Sequence, residues 1–220
     1  MSELLTVTGM VIKCSDYAEY DKRLLILTMD RGKITVFAHG ARRSGNRLMG
    51  PTEPFVYGDF TVSEGKSAYT LYEAKIINFF EGIRNDLSVF YTGSYFLEIA
   101  DYYTRENNDD AALLKLLYVC VNALVKKDAD IPLIRAVFEI RSIVANGEFP
   151  GIQSNILGHQ MKNGTAVAID HAVNSPMKSL LAFKLSDEVR EEFIGAAERY
   201  MNLCVPKIFN SLELIKTLEI

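Results

Sequence analysis

The first eighty residues alternate apolar and polar positions with the period of two that is typical of β-strands. Five segments rich in β-branched and aromatic residues lie at 5–12, 23–29, 33–41, 55–63 and 67–77. The third and fourth segments are separated by a longer stretch, residues 42–54, that carries Gly, Pro and Arg. This pattern predicts a small, closed or partly open β-barrel.

After residue 80 the period lengthens to that of helices. Apolar stripes predict helices at 84–103, 109–126, 132–146, 186–203 and 207–218. Pro132 suits the first turn of the third helix, and Asn146 with Gly147 suits its end. Residues 148–180 contain Gly and Pro and show weak periodicity, so we predict an irregular loop region there.

The two patterns together predict an α+β fold in which the strands precede the helices. We expect a five-stranded OB-fold barrel at residues 1–80, because the OB-fold is the commonest barrel of this kind and often binds oligonucleotides. A C-terminal helical bundle domain at residues 81–220 would follow this nucleic-acid-binding domain.

The composition is that of an ordinary globular protein, with 49% hydrophobic and 24% charged residues in a chain of 220. No apolar run approaches the roughly 20 residues that span a bilayer. The first residues lack the basic start and long apolar stretch of a signal peptide. We therefore expect a soluble, cytoplasmic protein. Its three Cys lie far apart without a CxxC pair, which indicates neither a disulfide framework nor a zinc site built on Cys.

The charge is unevenly distributed along the chain. The net charge is −4 overall, but residues 1–52 hold eight Lys or Arg against five Asp or Glu. No acid occurs between Asp30 and Glu53, a stretch that contains five basic residues and His39. Such asymmetry indicates an anionic partner for the N-terminal part of the chain.

The third predicted strand combines basic and aromatic residues on one face. Alternation places Ile34, Val36 and Ala38 on one face, and the other face carries Lys33, Thr35, Phe37 and His39. An aromatic ring beside a cation on an outward face is how single-strand binders stack bases. The alternative for Phe37 is a partly buried barrel residue.

The loop after this strand holds three arginines, Arg42, Arg43 and Arg47. Arginine makes bidentate contacts with phosphate, and no acid is interleaved with these three. The alternative is a solvated loop without a ligand. We take the candidate DNA-binding residues to be Lys33, Phe37, His39, Arg42, Arg43 and Arg47.

No arrangement of residues predicts catalysis. The three histidines, His39, His159 and His171, do not lie in any known catalytic motif, and phosphate-binding glycine patterns are absent. His159 and His171 could share a metal, but two histidines without further ligands make a weak site. We therefore predict a protein that is not an enzyme and has no cofactor and no metal site.

Several stretches resemble the RecO family of bacterial recombination mediators. They are residues 6–13, 17–25, 31–43, 69–74, 138–141 and 146–150, and residues 31–43 are the most specific of them. The resemblance implies an N-terminal OB-fold, a helical C-terminal domain and a nucleoid-associated protein. It also implies binding of single- and double-stranded DNA, annealing of complementary strands, and partnership with RecR and single-stranded DNA-binding protein in loading RecA onto coated single strands.

Of the candidate residues, Lys33, Arg42 and Arg43 match the family's basic stretch, and Arg47 rests on the charge argument alone. Many family members carry a four-cysteine zinc module after the Phe-Pro pair that corresponds to Phe149 and Pro150. This chain has no cysteine there, which predicts that packing holds the following loop.

Other functions stay open at this point. One is a protein-interaction adaptor of the repair machinery, in which the helical domain does the main work and DNA contact is weak or supplied by RecR. The acidic remainder of the chain favours this function. The second is a nuclease or other phosphoesterase, which the missing metal-ligand cluster disfavours. The third is an RNA-binding barrel protein, since a barrel alone does not determine the sugar.

Overall fold

Five strands close into a barrel at the N-terminal end of the chain. The structure, a computed structural model, describes residues 3–218. The strands are β1 (Leu4–Tyr17), β2 (Asp21–Thr28), β3 (Lys33–Ala38), β4 (Tyr57–Glu64) and β5 (Tyr69–Asn78). They are hydrogen-bonded in the order β1-β2-β3-β5-β4, and β1 also pairs with β4. Only the β3–β5 pair is parallel among these strands. The predicted five-stranded OB-fold barrel is confirmed.

Alternation along the strands fills the barrel interior. In β3, Ile34, Val36 and Ala38 are buried and the residues between them are partly exposed, as the sequence predicts. Aliphatic side chains from the other strands join them in one core, together with Phe60 of β4. Each strand gives one face to this core, and in β3 the opposite face carries the partly exposed Lys33, Thr35 and Phe37.

A β-bulge in β1 changes which residues face outward. Val7 and Val11 point into the barrel core, but the register with β2 shifts between Val11 and Lys13. After the shift Cys14 packs against the core, and Lys13 and Tyr17 are exposed. One extra residue in a strand reverses the alternation that follows it. The bulge therefore turns the end of β1 so that Tyr17 lies on the outer surface.

Within residues 3–218, six α-helices follow the barrel. They are α1 (Leu87–Tyr103), α2 (Ala111–Leu124), α3 (Ile131–Ala145), α4 (Asn163–Asn174), α5 (Asp187–Cys204) and α6 (Asn210–Leu218). The chain divides into two compact units: one runs up to Glu81 and includes Leu97–Leu114, and the other comprises Gly82–Phe96 and the chain from Lys115 onward. Aromatic rings fill the core of the second unit, where Phe96 and Phe138 stack with ring centroids 4.0 Å apart.

Part of the segment predicted to be irregular, residues 148–180, is regular. It contains a two-stranded hairpin, β6 (Asn155–Ile156) with β7 (His159–Gln160), and helix α4. Helix α4 buries Thr165, Ala168, Ile169 and Ala172, which have helical spacing. Its buried face is made mostly of small residues, while Val167 is 69% exposed. The hydrophobic signal of this helix is therefore weak, which explains the difference from the prediction.

A tyrosine of α5 holds the loop before the hairpin. The Tyr200 hydroxyl accepts a hydrogen bond from the Gln153 amide at 3.1 Å and donates one to the Gly151 carbonyl at 3.1 Å. The Tyr200 ring also packs against Phe149, with centroids 5.1 Å apart. Packing and hydrogen bonds hold this segment, which is what the sequence predicts for a chain without the zinc-module cysteines.

Candidate nucleic-acid interface

The predicted site residues begin at Lys33, at the start of β3. The Lys33 ammonium donates hydrogen bonds to the Asp101 carboxylate at 2.6 Å and to the Asp101 carbonyl at 2.7 Å. The Lys33 side chain is only 16% exposed. Its charge is balanced by Asp101, a residue of the same compact unit. The structure therefore gives Lys33 a role inside the fold, where Asp101 binds its ammonium.

Phe37 lies on the outer face of the barrel beside a residue that the sequence did not single out. The rings of Phe37 and Tyr17 pack with centroids 4.6 Å apart and an interplanar angle of 50°. Phe37 is partly exposed, and Tyr17 is 49% exposed. In the strand register Phe37 is opposite Arg23 of β2, whose side chain is exposed. Two aromatic rings and a cation thus share this part of the surface.

His39 is fixed by Asp21, at the start of β2. One Asp21 oxygen lies 2.6 Å from His39 Nδ1, and the other accepts a hydrogen bond from the Gly40 amide at 2.8 Å. These hydrogen bonds, with the Gly40 amide the larger cause, hold the pKa of Asp21 below its usual value. The His39 side chain remains 61% exposed. Asp21 therefore orients the imidazole and the first residues of the basic loop.

Arg42 binds the turn between β1 and β2. Its guanidinium lies 3.1 Å from the Asp16 carboxylate and donates a hydrogen bond to the Glu19 carbonyl at 3.1 Å. Its backbone amide donates to the Tyr20 carbonyl at 2.9 Å. These contacts fasten the start of the basic loop to the β1–β2 turn. They also neutralise Asp16, an acid that would repel a phosphate at this surface.

Arg43 lies over an exposed aromatic ring. Its guanidinium carbon is 4.7 Å from the centroid of the Tyr20 ring, and Tyr20 is 41% exposed. A guanidinium stacked on a ring keeps its N–H groups at its edge, where they can donate to a phosphate. The contact therefore holds Arg43 in place without using its hydrogen-bond donors.

Arg47 lies farther along the same loop, and its side chain is exposed. It donates a hydrogen bond to the Tyr72 carbonyl of β5 at 3.0 Å. A guanidinium has five N–H donors, so this bond leaves most of them for another acceptor. Arg43 and Arg47 are thus the two predicted cations that the structure leaves most accessible to an anion.

The structure brings Phe37, His39, Arg42 and Arg43 together around the β1–β2 turn and β3. Arg47 contacts β5 instead, and further residues join this surface. The added residues are Tyr17, Tyr20 and Arg23, which lie beside Phe37 and Arg43. The sequence contains Tyr17 and Tyr20 in a short turn between two strands, which is a usable signal. The bulge in β1 hides it, because simple alternation from Val7 and Val11 would point Tyr17 inward.

The histidines considered for metal binding, His159 and His171, do not form a metal site in the part of the chain that the structure describes. His171, a candidate for metal binding with His159, lies 2.9 Å from the Ser175 hydroxyl through Nδ1 and 3.2 Å from the Ser179 carbonyl through Nε2. Across residues 3–218, no three His, Cys, Asp or Glu side chains are grouped in a way that could hold a metal ion. Within the same residues, no helix has both the length and the apolar composition that crossing a membrane requires.

Comparison with protein families gives the chain its relationships. The family model described as Recombination protein O N terminal matches residues 1–80, and the one described as Recombination protein O C terminal matches residues 84–188. The chain belongs to the recombination protein O family. The resemblance that the sequence motifs indicate is confirmed.

Two relatives match over nearly the whole chain, and a third matches over part of it. DNA repair protein RecO of Acetivibrio thermocellus is 29% identical, and the alignment covers 98% of this chain and 97% of that protein. The protein of the same name from Alkaliphilus metalliredigens is 24% identical, with 97% and 99% covered. The one from Anaeromyxobacter sp. is 32% identical over 70% of this chain and 60% of its own length.

Proposed function

We propose that this protein acts in DNA repair and homologous recombination by binding DNA and annealing complementary strands, without a catalytic step. Its relatives carry the name DNA repair protein RecO. The observation that carries the proposal is the acid-free basic loop, in which Arg43 and Arg47 are exposed on an OB-fold barrel. We assign the nucleic-acid-binding domain to residues 1–80 and the helical domain to residues 81–220, and we place the protein in the cytoplasm at the nucleoid.

The site would bind DNA mainly through phosphates. Arg43 and Arg47 supply exposed guanidinium groups, Arg42 holds the loop against the β1–β2 turn, and His39 is oriented by Asp21. Phosphate contacts of this kind bind single and double strands alike and carry no sequence information. Lys33 supports the site from within the fold through Asp101.

Annealing follows from the same charges. Two complementary strands repel each other through their phosphates, and cations placed between them lower that repulsion. The bases can then pair, and no bond of the DNA backbone is formed or broken. A protein of this kind needs no nucleophile, general base or metal ion.

The test of the proposal is an annealing assay with two complementary, differently labelled strands, followed by energy transfer. The variant Arg42→Ala/Arg43→Ala/Arg47→Ala would be compared with the wild type and with Lys115→Ala, which removes an exposed cation from the helical domain. We expect the triple variant to anneal at least about tenfold more slowly at low salt, because it loses up to three phosphate contacts. Equal rates for wild type and triple variant would favour the alternative, a protein-interaction adaptor with weak DNA contact of its own.

The family relationship also supports a set of protein partners. We propose that RecR and single-stranded DNA-binding protein are direct partners, and that RecA is served indirectly when it is loaded onto coated single strands. For the tail of single-stranded DNA-binding protein, a groove in the second compact unit is the candidate site. Its cavity measures about 490 Å³, and its apolar lining includes Leu133, Ile134, Leu181, Phe183 and Leu185.

The rim of this groove fits a negatively charged peptide. Lys126, Lys184 and the acid Asp128 line the groove and are exposed, and Asp130 is paired with Arg190 through two contacts at 2.5 and 2.6 Å. The lining therefore carries three cations and two acids. A labelled peptide with the tail sequence would be titrated with wild type, with Lys126→Glu/Lys184→Glu, and with Lys115→Glu as an exposed control. We expect the charge reversal at the rim to weaken binding by at least about tenfold. Unchanged affinity would remove this groove from the proposal.

A further inference from the structure

The outer surface of the barrel carries a pair of packed aromatic rings, Tyr17 and Phe37, that remains partly exposed. The rings of Tyr17 and Phe37 pack at 4.6 Å between centroids, yet half of Tyr17 is in contact with solvent. The two rings belong to β1 and β3, which are separated by β2, so they meet across the outer side of β2. The apolar core of the barrel lies on the opposite face of these strands. The exposed ring surface is therefore available to another flat, apolar group.

Two cations, Arg23 and Arg43, belong to the same part of the barrel as the aromatic pair. Arg23 is opposite Phe37 in the β2–β3 register, and its side chain is exposed. Arg43 is stacked on Tyr20, three residues after Tyr17 in the same turn. Three acids lie within four residues of Tyr17: Asp16 pairs with Arg42, Asp21 is bound by Gly40 and His39, and Glu19 is exposed. A phosphate backbone can thus follow the cations while a base lies on the rings.

We propose that Tyr17 and Phe37 form a stacking platform for an unpaired base, which makes the barrel face selective for single-stranded over double-stranded nucleic acid. The inference rests on the proposed DNA-binding function and adds to it the source of strand selectivity. A base in a duplex has both faces covered by its neighbours, so it cannot lie on a protein ring. An unpaired base offers a free face, and stacking on aromatic side chains tolerates any base.

This platform divides the interface into two parts with different preferences. The guanidinium groups of Arg43 and Arg47 bind phosphates of either kind of strand. The ring pair adds affinity only where a base is unpaired. The two parts can therefore be separated by a probe that keeps the phosphates and lacks the bases.

The test measures the affinity of the full chain for three labelled probes of equal length: a single strand, the same strand made entirely of abasic sites, and a duplex. The main variant is Tyr17→Leu/Phe37→Leu, which keeps apolar bulk against the strands and removes the flat rings. Phe37→Tyr keeps the ring and tests rescue. Phe79→Leu removes an aromatic side chain that is 47% exposed in the same compact unit and is the matched control.

We expect the wild type, the Phe37→Tyr variant and the Phe79→Leu variant to bind the single strand roughly 5- to 100-fold more tightly than the abasic strand. The double leucine variant should lose that preference and keep its affinity for the abasic strand and the duplex. The platform is overturned if the double variant keeps the wild-type preference, or if the wild type binds all three probes equally. Binding of none of the probes by the wild type would instead overturn the proposed DNA-binding function itself.

Discussion

Each compact unit contains a distinct set of charged side chains, exposed in the loop after β3 and buried in α3. On the barrel, Arg43 and Arg47 lie at the surface, where water solvates them and a ligand can reach them. In the helical unit, Arg135 and Glu139 of α3 are almost completely buried. A surface charge contributes little to stability and is free to bind, whereas a buried charge is costly unless it is paired. The comparison assigns binding to the first set and control of stability to the second.

The buried set is a small polar network inside an aromatic core. Arg135 pairs with Glu198 of α5 at 2.7 Å, and the Tyr95 hydroxyl donates a hydrogen bond to Glu139 at 3.1 Å. Burial raises the pKa of Glu139 to about 7, although Arg135 and Tyr95 act in the opposite direction. Among residues 3–218, Oε2 of Glu139 and Nε and Nη1 of Arg135 have no hydrogen-bond partner. The hydrogen-bonding groups of this network are only partly satisfied, so loss of any member is expected to change the free energy of unfolding.

The largest effect is expected from Arg135→Met. Loss of the guanidinium breaks the pair with Glu198 and removes the positive charge that favours ionised Glu139, which costs about 4 kcal/mol for buried charges of this kind. Lys115→Met, at an exposed position of α2, is the control and should change the free energy of unfolding by no more than about 0.5 kcal/mol. Urea unfolding at pH 8 measures both. A small effect at Arg135 would mean that the buried charges do not control the stability of this unit.

The next prediction concerns pH. The pKa of Glu139 is about 7 in the folded protein and 4.5 in an ordinary environment, so the folded state keeps a proton that the unfolded state releases. Raising the pH from about 4.5 to about 8 should therefore lower the free energy of unfolding by about 3 kcal/mol from this group. Glu139→Gln cannot release a proton and should flatten the profile. Identical pH slopes for wild type and variant would contradict the assignment.

A smaller effect separates the two neighbouring arginines of the basic loop. Arg42 makes contacts that need its fork-shaped guanidinium, whereas Arg43 is proposed to serve mainly as an exposed cation. We expect Arg42→Lys to weaken single-strand binding by roughly 3- to 10-fold although the charge is kept, and Arg43→Lys to weaken it by no more than about threefold. Fluorescence anisotropy at fixed salt measures both. The reverse order would mean that Arg43, not Arg42, positions the loop.

The smallest effect is local. Tyr200→Phe removes the hydroxyl that joins α5 to Gly151 and Gln153, which costs about 1 kcal/mol of stability. Amide hydrogen exchange should quicken in residues 151–161 and stay unchanged in the barrel. Phe149→Leu, which alters packing against the same ring and keeps the hydroxyl, is the matched control. Uniform exchange changes across the chain would show that the tyrosine supports the whole unit rather than this segment.

The sequence predicts most of the fold because alternation and turn residues specify the strands directly. It locates β3 and the inward positions Ile34, Val36 and Ala38 correctly. It does not reveal Tyr17 on the outer face, because one bulged residue in β1 reverses the alternation. It also misses α4, whose buried face is made mostly of small residues. The buried position of Glu139 depends on packing by several distant helical segments, which a local pattern does not contain.

The candidate site is predicted in outline and refined in detail. Charge patterning points to the loop with Arg42, Arg43 and Arg47, but it does not distinguish exposed cations from paired ones. Lys33 contacts Asp101, which is 68 positions away in the sequence, and Arg42 contacts Asp16, which is 26 positions away. Such pairings depend on the closed barrel and its turns. They are therefore visible only in three dimensions.

The most direct test of the account measures binding of a labelled single strand across a salt series by fluorescence anisotropy. Wild type would be compared with Arg43→Ala/Arg47→Ala and with Glu139→Gln at pH 7. The account predicts weaker binding and a salt slope shallower by about 1.4 for the arginine variant, and wild-type binding for Glu139→Gln. Wild-type affinity and slope in the arginine variant would contradict the assignment of DNA binding to the exposed barrel cations.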